Sequence, residues 1–184
     1  MHNNFFKKYY FIDKFEKSNI DKQETKTTII YRNYKKNYEI SEIIFIKKYC
    51  KKKNLKFIIS NNVKLAVNLN LDGAYLPSFN KNFDHLSYHF KKDFCLIGSA
   101  HNLQEIRIKE KQKVDIIFLS PLFKTKQYKD GLGIIKFNNL SKLTKKKVVA
   151  LGGIRKKNKN LLKITNTYGF SGISYFQSYL KNDK

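Results

Sequence analysis

Ile116-Ile117-Phe118-Leu119-Ser120, bounded by Asp115 and Pro121, is apolar at each of its first four positions. A strand with one wet face alternates apolar and polar residues, whereas a strand covered on both faces reads as a short unbroken apolar run. The stretch is therefore a buried parallel strand. Seven more runs of the same kind recur along the chain: Tyr9–Ile12, Thr28–Tyr31, Phe57–Ser60, Gly73–Leu76, Cys95–Ser99, Val148–Leu151 and Gly172–Tyr175.

Between these runs the period changes to that of helices. From Tyr38 to Lys53, Ile40, Ile43, Ile44, Lys47 and Cys50 recur at helical spacing. Glu39 and Glu42 open that segment and Lys51-Lys52-Lys53 close it, matching the helix dipole. Asn62–Asn70 carries Val63, Ala66 and Val67 on one face, and Asn102 with Glu105 forms a capping-box pair ahead of Ile106. Ile134–Lys146 and Lys159–Tyr168 are further helical segments. Strand and helix alternating eight times predict an α/β fold with right-handed crossovers. A (β/α)8 TIM barrel fits the count, in a short version, since barrels of this kind typically need roughly 250 residues. An open doubly wound sheet is the alternative. No Pro-, Gly- or Ser-rich linker divides the 184 residues, so a single domain over 1–184 is expected.

Hydrophobic residues at 41%, with 12 Tyr and 15 Phe, supply a core and exclude disorder as the main description. Lys and Arg outnumber Asp and Glu by 38 to 14, a net charge of +24, which favours anionic partners. The lysines are spread along the whole chain with no compact recognition motif, so nucleic acid is not the expected partner. Cys50 and Cys95 have neither zinc spacing nor a disulfide framework. With no signal-peptide core and no apolar run of about 18 residues, a soluble cytoplasmic protein is expected, with no membrane contact. Oligomeric state is not legible.

In either architecture the loops after the carboxyl ends of the strands build the site. Gly152-Gly153, directly after Val148–Leu151, is either a tight turn or a cradle offering amide N–H groups to a phosphate, with Arg155 and the next lysines favouring the cradle. Phe123–Gly131 reads as a mobile cationic loop able to close over a phosphorylated ligand, or as a plain solvated loop. His101, beside Ser99 at a strand end, is a candidate general acid or base, or a capping partner. His85 and His89 share helical spacing but lack a third ligand for a metal.

Five segments in order, Ile58–Ala66, Asp72–Leu76, Ile97–Glu105, Asp115–Thr125 and Ala150–Ile154, resemble the thiamine-phosphate synthase/TenI family over about residues 28–178. The resemblance implies a (β/α)8 barrel. It implies condensation of a thiazole phosphate with an aminopyrimidine pyrophosphate, or the thiazole tautomerase activity of TenI-like members. Carried over, Gly152 and Gly153 correspond to the phosphate turn, Thr125 to a loop hydroxyl, Ser99 to a serine near the pyrophosphate, and Arg32 to the arginine of the second-strand motif. Ser60, Asn61, Lys129 and Gln177 complete the expected binding residues, and Lys126 joins His101 as a catalytic candidate.

The departures matter equally. Asn61 and Asn80 stand where the family has its Mg2+-binding aspartates. Ile30 and Tyr34 replace a Gln and a Lys, Gln127 a Thr, Gln177 a Ser, and Pro121 the His of some tautomerases. Magnesium prefers anionic oxygen, so its use is in doubt. Lys81, Lys124, Lys126 and Lys129 offer a cationic substitute. The alternative reading is a non-catalytic sensor or regulator that kept the phosphate turn and lost the metal carboxylates.

Overall fold

A computed structural model of the protein describes residues 6–34, 38–172 and 175–176. Eight parallel strands close into one barrel in chain order, with the last returning to pair with the first. They are β1 (Lys7–Ile12), β2 (Thr28–Tyr31), β3 (Lys56–Ser60), β4 (Gly73–Leu76), β5 (Cys95–Ala100), β6 (Ile116–Leu119), β7 (Lys147–Leu151) and β8 (Gly169–Ser171). Closure removes the open doubly wound alternative. Among the described residues five complete α-helices cover the outside: α1 (Lys17–Asp21), α2 (Ile40–Lys52), α3 (Val63–Asn68), α4 (Leu103–Lys111) and α5 (Gly133–Lys142).

The expected alternation is incomplete. The β4–β5 and β7–β8 connections carry only 3-10 turns, Asp84–Ser87 and Lys156–Ile164, which is how so short a chain closes a barrel. The last strand also lies three residues earlier than its apolar run suggested. Gly169–Ser171 pairs in register with Lys7–Tyr9, and Gly169 sits so close that an added Cβ would lie 2.4 Å from the Lys7 carbonyl oxygen. Tyr175, read as a strand end, is instead helical together with Phe176, and both pack on Phe170. On α2 the buried stripe is Ile43, Ile46 and Cys50, while Ile40 and Ile44 face solvent. The segment expected to be helical to Lys146 ends at Lys142, and beyond it the Thr144 hydroxyl donates to Glu110 at 2.6 Å and accepts from Lys146 N at 3.1 Å.

Strand pleat sends every second side chain into the lumen. Tyr9, Phe11, Ile30, Ile58, Tyr75, Ile97, Phe118 and Val149 fill it as one cluster. Four aromatic rings form its centre: Phe118 lies 4.9 Å from Tyr9 and 5.7 Å from Tyr75, and Phe11 lies 5.2 Å from Tyr75. The alternate residues, among them Ile29, Ile59, Ile117 and Leu119, point outward and meet the helices in a second core layer.

One polar element is buried in that outer layer. Lys109, on α4 and fully buried, runs its stem over Gly98, where a Cβ would lie 2.7 Å from Lys109 Cδ. Its Nζ donates to the carbonyls of Pro77 and Asn80, both at 2.7 Å, and to Gln112 Oε1 at 2.9 Å. Gln112 Nε2 donates to the Asn82 carbonyl at 2.7 Å, and the buried His85 ring contacts the Gln112 carbonyl through Nε2 at 2.8 Å. The loop after β4 is thus held from below by side chains, in place of a covering helix.

Burial pushes the Lys109 ammonium from 10.5 down to about 8. Between those values the unfolded chain binds more protons at this residue than the folded one, so its contribution to stability rises as pH increases through that window. Lys109→Met removes a charged donor from two loop carbonyls, which keep Asn80 N and Gln112 Nε2, and leaves the buried Gln112 Oε1 without a donor, so urea denaturation at neutral pH should show a loss of about 1–3 kcal/mol. The same variant should lose the part of the alkaline stability rise that belongs to this residue, read as the wild-type minus variant difference from pH 7 to 10.

Candidate functional site

The carboxyl ends of the strands surround a cavity of about 540 Å³. Its floor is the upper layer of the lumen. Arg32, two residues past Ile30, places its guanidinium 4.8 Å above the centre of the Phe11 ring. Ser99 is buried beside Tyr75 and hydrogen-bonded to it, which partly offsets the desolvation that raises the Tyr75 hydroxyl to about 12. Ser120 completes the hydroxyl-lined part of the wall.

Opposite lies the β7 turn. Gly152 and Gly153 have φ of +90° and +71°, a region costly for any residue with a Cβ. The turn is also packed against the β6 loop. A Cβ on Gly152 would lie 2.8 Å from Pro121 Cα, and one on Gly153 would lie 2.6 Å from the carbonyl oxygens of Phe123 and Lys124. Leu122 N donates to the Leu151 carbonyl at 2.8 Å and Phe123 N to that of Gly152 at 3.1 Å. The Gly152 and Gly153 N–H groups donate to no other described residue, which leaves both for an anion. Gly172 closes the same corner.

The third wall is the loop after β6. Thr125 and Tyr128 lock its tip by a pair of bonds, Thr125 N to the Tyr128 carbonyl at 2.9 Å and Tyr128 N to Thr125 Oγ1 at 3.0 Å. The Thr125 hydroxyl proton stays available to a ligand. Lys126 and Gln127 line the cavity, while Lys129 is in the same loop but not on the cavity wall. His101 faces Tyr128, ring to ring at 6.0 Å. Its Nδ1 lies 2.8 Å from Glu105 Oε2, which also accepts from the His101 N–H at 2.8 Å. Asn102 caps α4 as expected, accepting from Glu105 N at 2.9 Å, but the Glu105 carboxylate turns to His101 and orients its ring. The spacing of four between His101 and Glu105 across the cap is the sequence signal for this pair. Tyr34, Phe79 and Tyr128 form exposed aromatic lips that had no signal beyond their loop positions.

Arg32, Ser99, His101, Thr125, Lys126, Gly152 and Gly153 therefore share one cavity. Ser60 does not line it: its Oγ is 2.9 Å from the Tyr34 hydroxyl and its carbonyl accepts from Tyr38 at 2.5 Å. Gln177 lies outside the described residues. Asn61 and Asn80 line a separate small cavity of about 160 Å³ beside α3.

These two asparagines do not fit a magnesium ion. Asn80 Nδ2 donates to Asn61 Oδ1 at 2.7 Å, and Asn80 Oδ1 accepts from Asn82 N at 2.9 Å, so each carboxamide oxygen already has a protein donor. Both groups are neutral, and a hard dication is held mainly by anionic oxygen. Asp84, the one carboxylate lining this cavity, is bonded to Asn82 Nδ2 at 2.7 Å. Among the described residues there is no cluster of three His, Cys, Asp or Glu that could hold a metal ion.

A glycine turn, a cationic loop and several hydroxyls thus converge on one mouth. The family model described as thiamine monophosphate synthase matches residues 21–176. Thiamine-phosphate synthase 1 of Streptococcus pneumoniae is 32% identical over 144 residues, 76% of this chain and 68% of its own. The thiamine-phosphate synthase of Persephonella marina is 29% identical over 168 residues, covering 85% and 76% respectively. Thiamine phosphate pyrophosphorylase from Pyrococcus furiosus shares the fold with a TM-score of 0.70 at 22% identity, over 91% of this chain and 85% of that one. With the family match running from ahead of β2 to beyond β8, the chain belongs to the thiamine monophosphate synthase family.

Proposed function

We propose that this protein joins a thiazole phosphate to an aminopyrimidine pyrophosphate, with fixed cations in place of a protein-held magnesium receiving the leaving group. The observation that carries the reading is the pair of unengaged glycine amides at +90° and +71°, facing Arg32 and Lys126 across one cavity. The turn holds the phosphate of the thiazole partner through N–H groups that need no reorganisation. In the reaction the bond between the pyrimidine methylene and the pyrophosphate oxygen breaks, the leaving group takes the electron pair, and the methylene bonds to the thiazole. Arg32, propped on Phe11, and Lys126 supply positive charge to the departing pyrophosphate, while Ser99 and Thr125 donate hydrogen bonds. With Nδ1 of His101 held by the Glu105 carboxylate, Nε2 is the ring nitrogen left to exchange a proton with a ligand in the cavity.

Members of the family use Mg2+. Here the Asn61–Asn80 and Asn82–Asn80 bonds occupy the oxygens that would be needed to hold it. The same bonds favour a second reading, a binder that keeps the phosphate turn without turnover.

Incubation with both substrates should yield thiamine phosphate and pyrophosphate at a rate unchanged by a chelator. Binding of thiazole phosphate without product assigns the second reading, and no binding at all overturns both. His101→Asn should lower kcat by about 10- to 100-fold with little change in KM. Gly153→Ala, forced to φ +71° and against two carbonyls, should cost more than about 1 kcal/mol in denaturant unfolding and abolish thiazole phosphate binding. Millimolar Mg2+ should leave the wild-type melting temperature unchanged. Asn61→Asp combined with Asn80→Asp should melt lower in chelator and recover on adding Mg2+, since two facing carboxylates repel until a cation joins them.

A further inference from the structure

The opposite, amino-terminal mouth of the barrel opens into a larger cavity of about 990 Å³. The pleat fixes what enters it. Lys7, Lys56 and Lys147 each stand two residues before a lumen residue, Tyr9, Ile58 and Val149, so all three side chains turn toward the barrel axis. Cys95, the lumen-facing start of β5, lines the same mouth. Lys7 and Lys56 have no side-chain partner among the described residues, and Lys147 rests its ammonium 4.8 Å from the Tyr168 ring centre.

Four more lysines, at 26, 47, 51 and 91, stand around the rim. Lys47 and Lys91 are steered by the carbonyls of Leu69 and Asn70, at 2.9 and 3.2 Å. The carboxylates in this mouth, Asp72 and Asp115, are directed to the backbone: each accepts a strand N–H, from Phe57 and Leu96, at 2.8 Å. Seven cations against two carboxylates leave a formal excess of 7 − 2 = +5 in one concavity. Like charges gathered on a low-dielectric floor of Ile58, Ile97 and Ile116 raise the local potential and concentrate counter-ions.

We infer that this mouth is a binding site for a compact polyphosphate anion, separate from the cavity at the carboxyl ends. The aromatic plug of Tyr9, Phe11, Tyr75 and Phe118 lies between the two. Compactness follows from geometry. The lumen of an eight-stranded barrel admits little more than side chains, so only a small, densely charged ligand reaches all three axial lysines at once. A nucleic-acid duplex can touch only the rim. Lysine ammonium groups suit such a ligand as mobile point charges that adapt to several phosphate oxygens. The inference does not depend on the catalytic reading of the other mouth.

Titration calorimetry with tripolyphosphate at roughly 0.15 M salt, where long-range surface attraction is screened, is the test. Wild type should bind one tripolyphosphate per chain saturably. Replacing Lys7, Lys56 and Lys147 together by Gln should weaken binding at least about tenfold. Replacing three exposed helix lysines, Lys111, Lys136 and Lys142, by Gln removes the same charge and should leave binding within about twofold. If the axial triple variant does not fold, Lys56→Gln alone should weaken binding about threefold. No saturable binding by wild type, equal losses in the two triple variants, or tighter binding of a DNA duplex through the same three lysines would each overturn the inference.

Discussion

A closed eight-stranded barrel leaves room inside only for side chains, and the two-residue repeat of each strand dictates which ones enter. Most of the molecule's chemistry follows from that constraint. Successive lumen layers run from Lys7, Lys56 and Lys147, through the rings of Tyr9, Phe11, Tyr75 and Phe118, to Arg32, Ser99 and Ser120. The middle layer is dry and edge-to-face packed, which keeps the two mouths apart. It also does local work: Phe11 is the surface on which the Arg32 guanidinium rests, so a core contact sets the height of a cation in the cavity.

Loops after β3 and β4 meet a different demand. Where two carboxylates would need a cation between them, Asn61 and Asn80 close the gap with a single 2.7 Å amide bond. The β4 loop is fixed independently by Lys109, which brings its own charge under the loop and binds two of its carbonyls. Neutral amides above and a buried ammonium below make this quarter of the rim self-sufficient. The contrast with the β7 turn is chemical. There the amide N–H groups meet no acceptor among the described residues, a lack that an anion would fill.

Much of the architecture was written in local pattern. Unbroken runs such as Ile116–Leu119 and Phe57–Ile59 are strands because both faces are covered, and Asn102 caps α4 through its own side chain. The eighth strand misled because Gly172–Tyr175 looks apolar, whereas pairing with β1 selects Gly169–Ser171, where a missing Cβ allows close approach. Lys109 was illegible: nothing in Ile106–Gln112 tells a surface lysine from one that crosses Gly98 into the core. The asparagine substitutions were visible from the resemblance, but their mutual bond exists only in three dimensions. The orienting role of Glu105 was hidden behind its plausible part in a capping box.

The loop after β6 is tethered at both feet to one short stretch. Leu122 and Phe123 donate to the β7 turn, while Leu132 N and Gly133 N return to the carbonyls of Pro121 and Leu122 at 2.8 and 3.0 Å. A swing of this segment is therefore that of a crank between two fixed bearings. Thr125 and Tyr128, bonded to each other at the tip, move together. Thr125, Lys126 and Tyr128 ride on the arm, so inward rotation would carry a hydroxyl, a cation and an aromatic face over the cavity while the glycine turn at the bearing stays still.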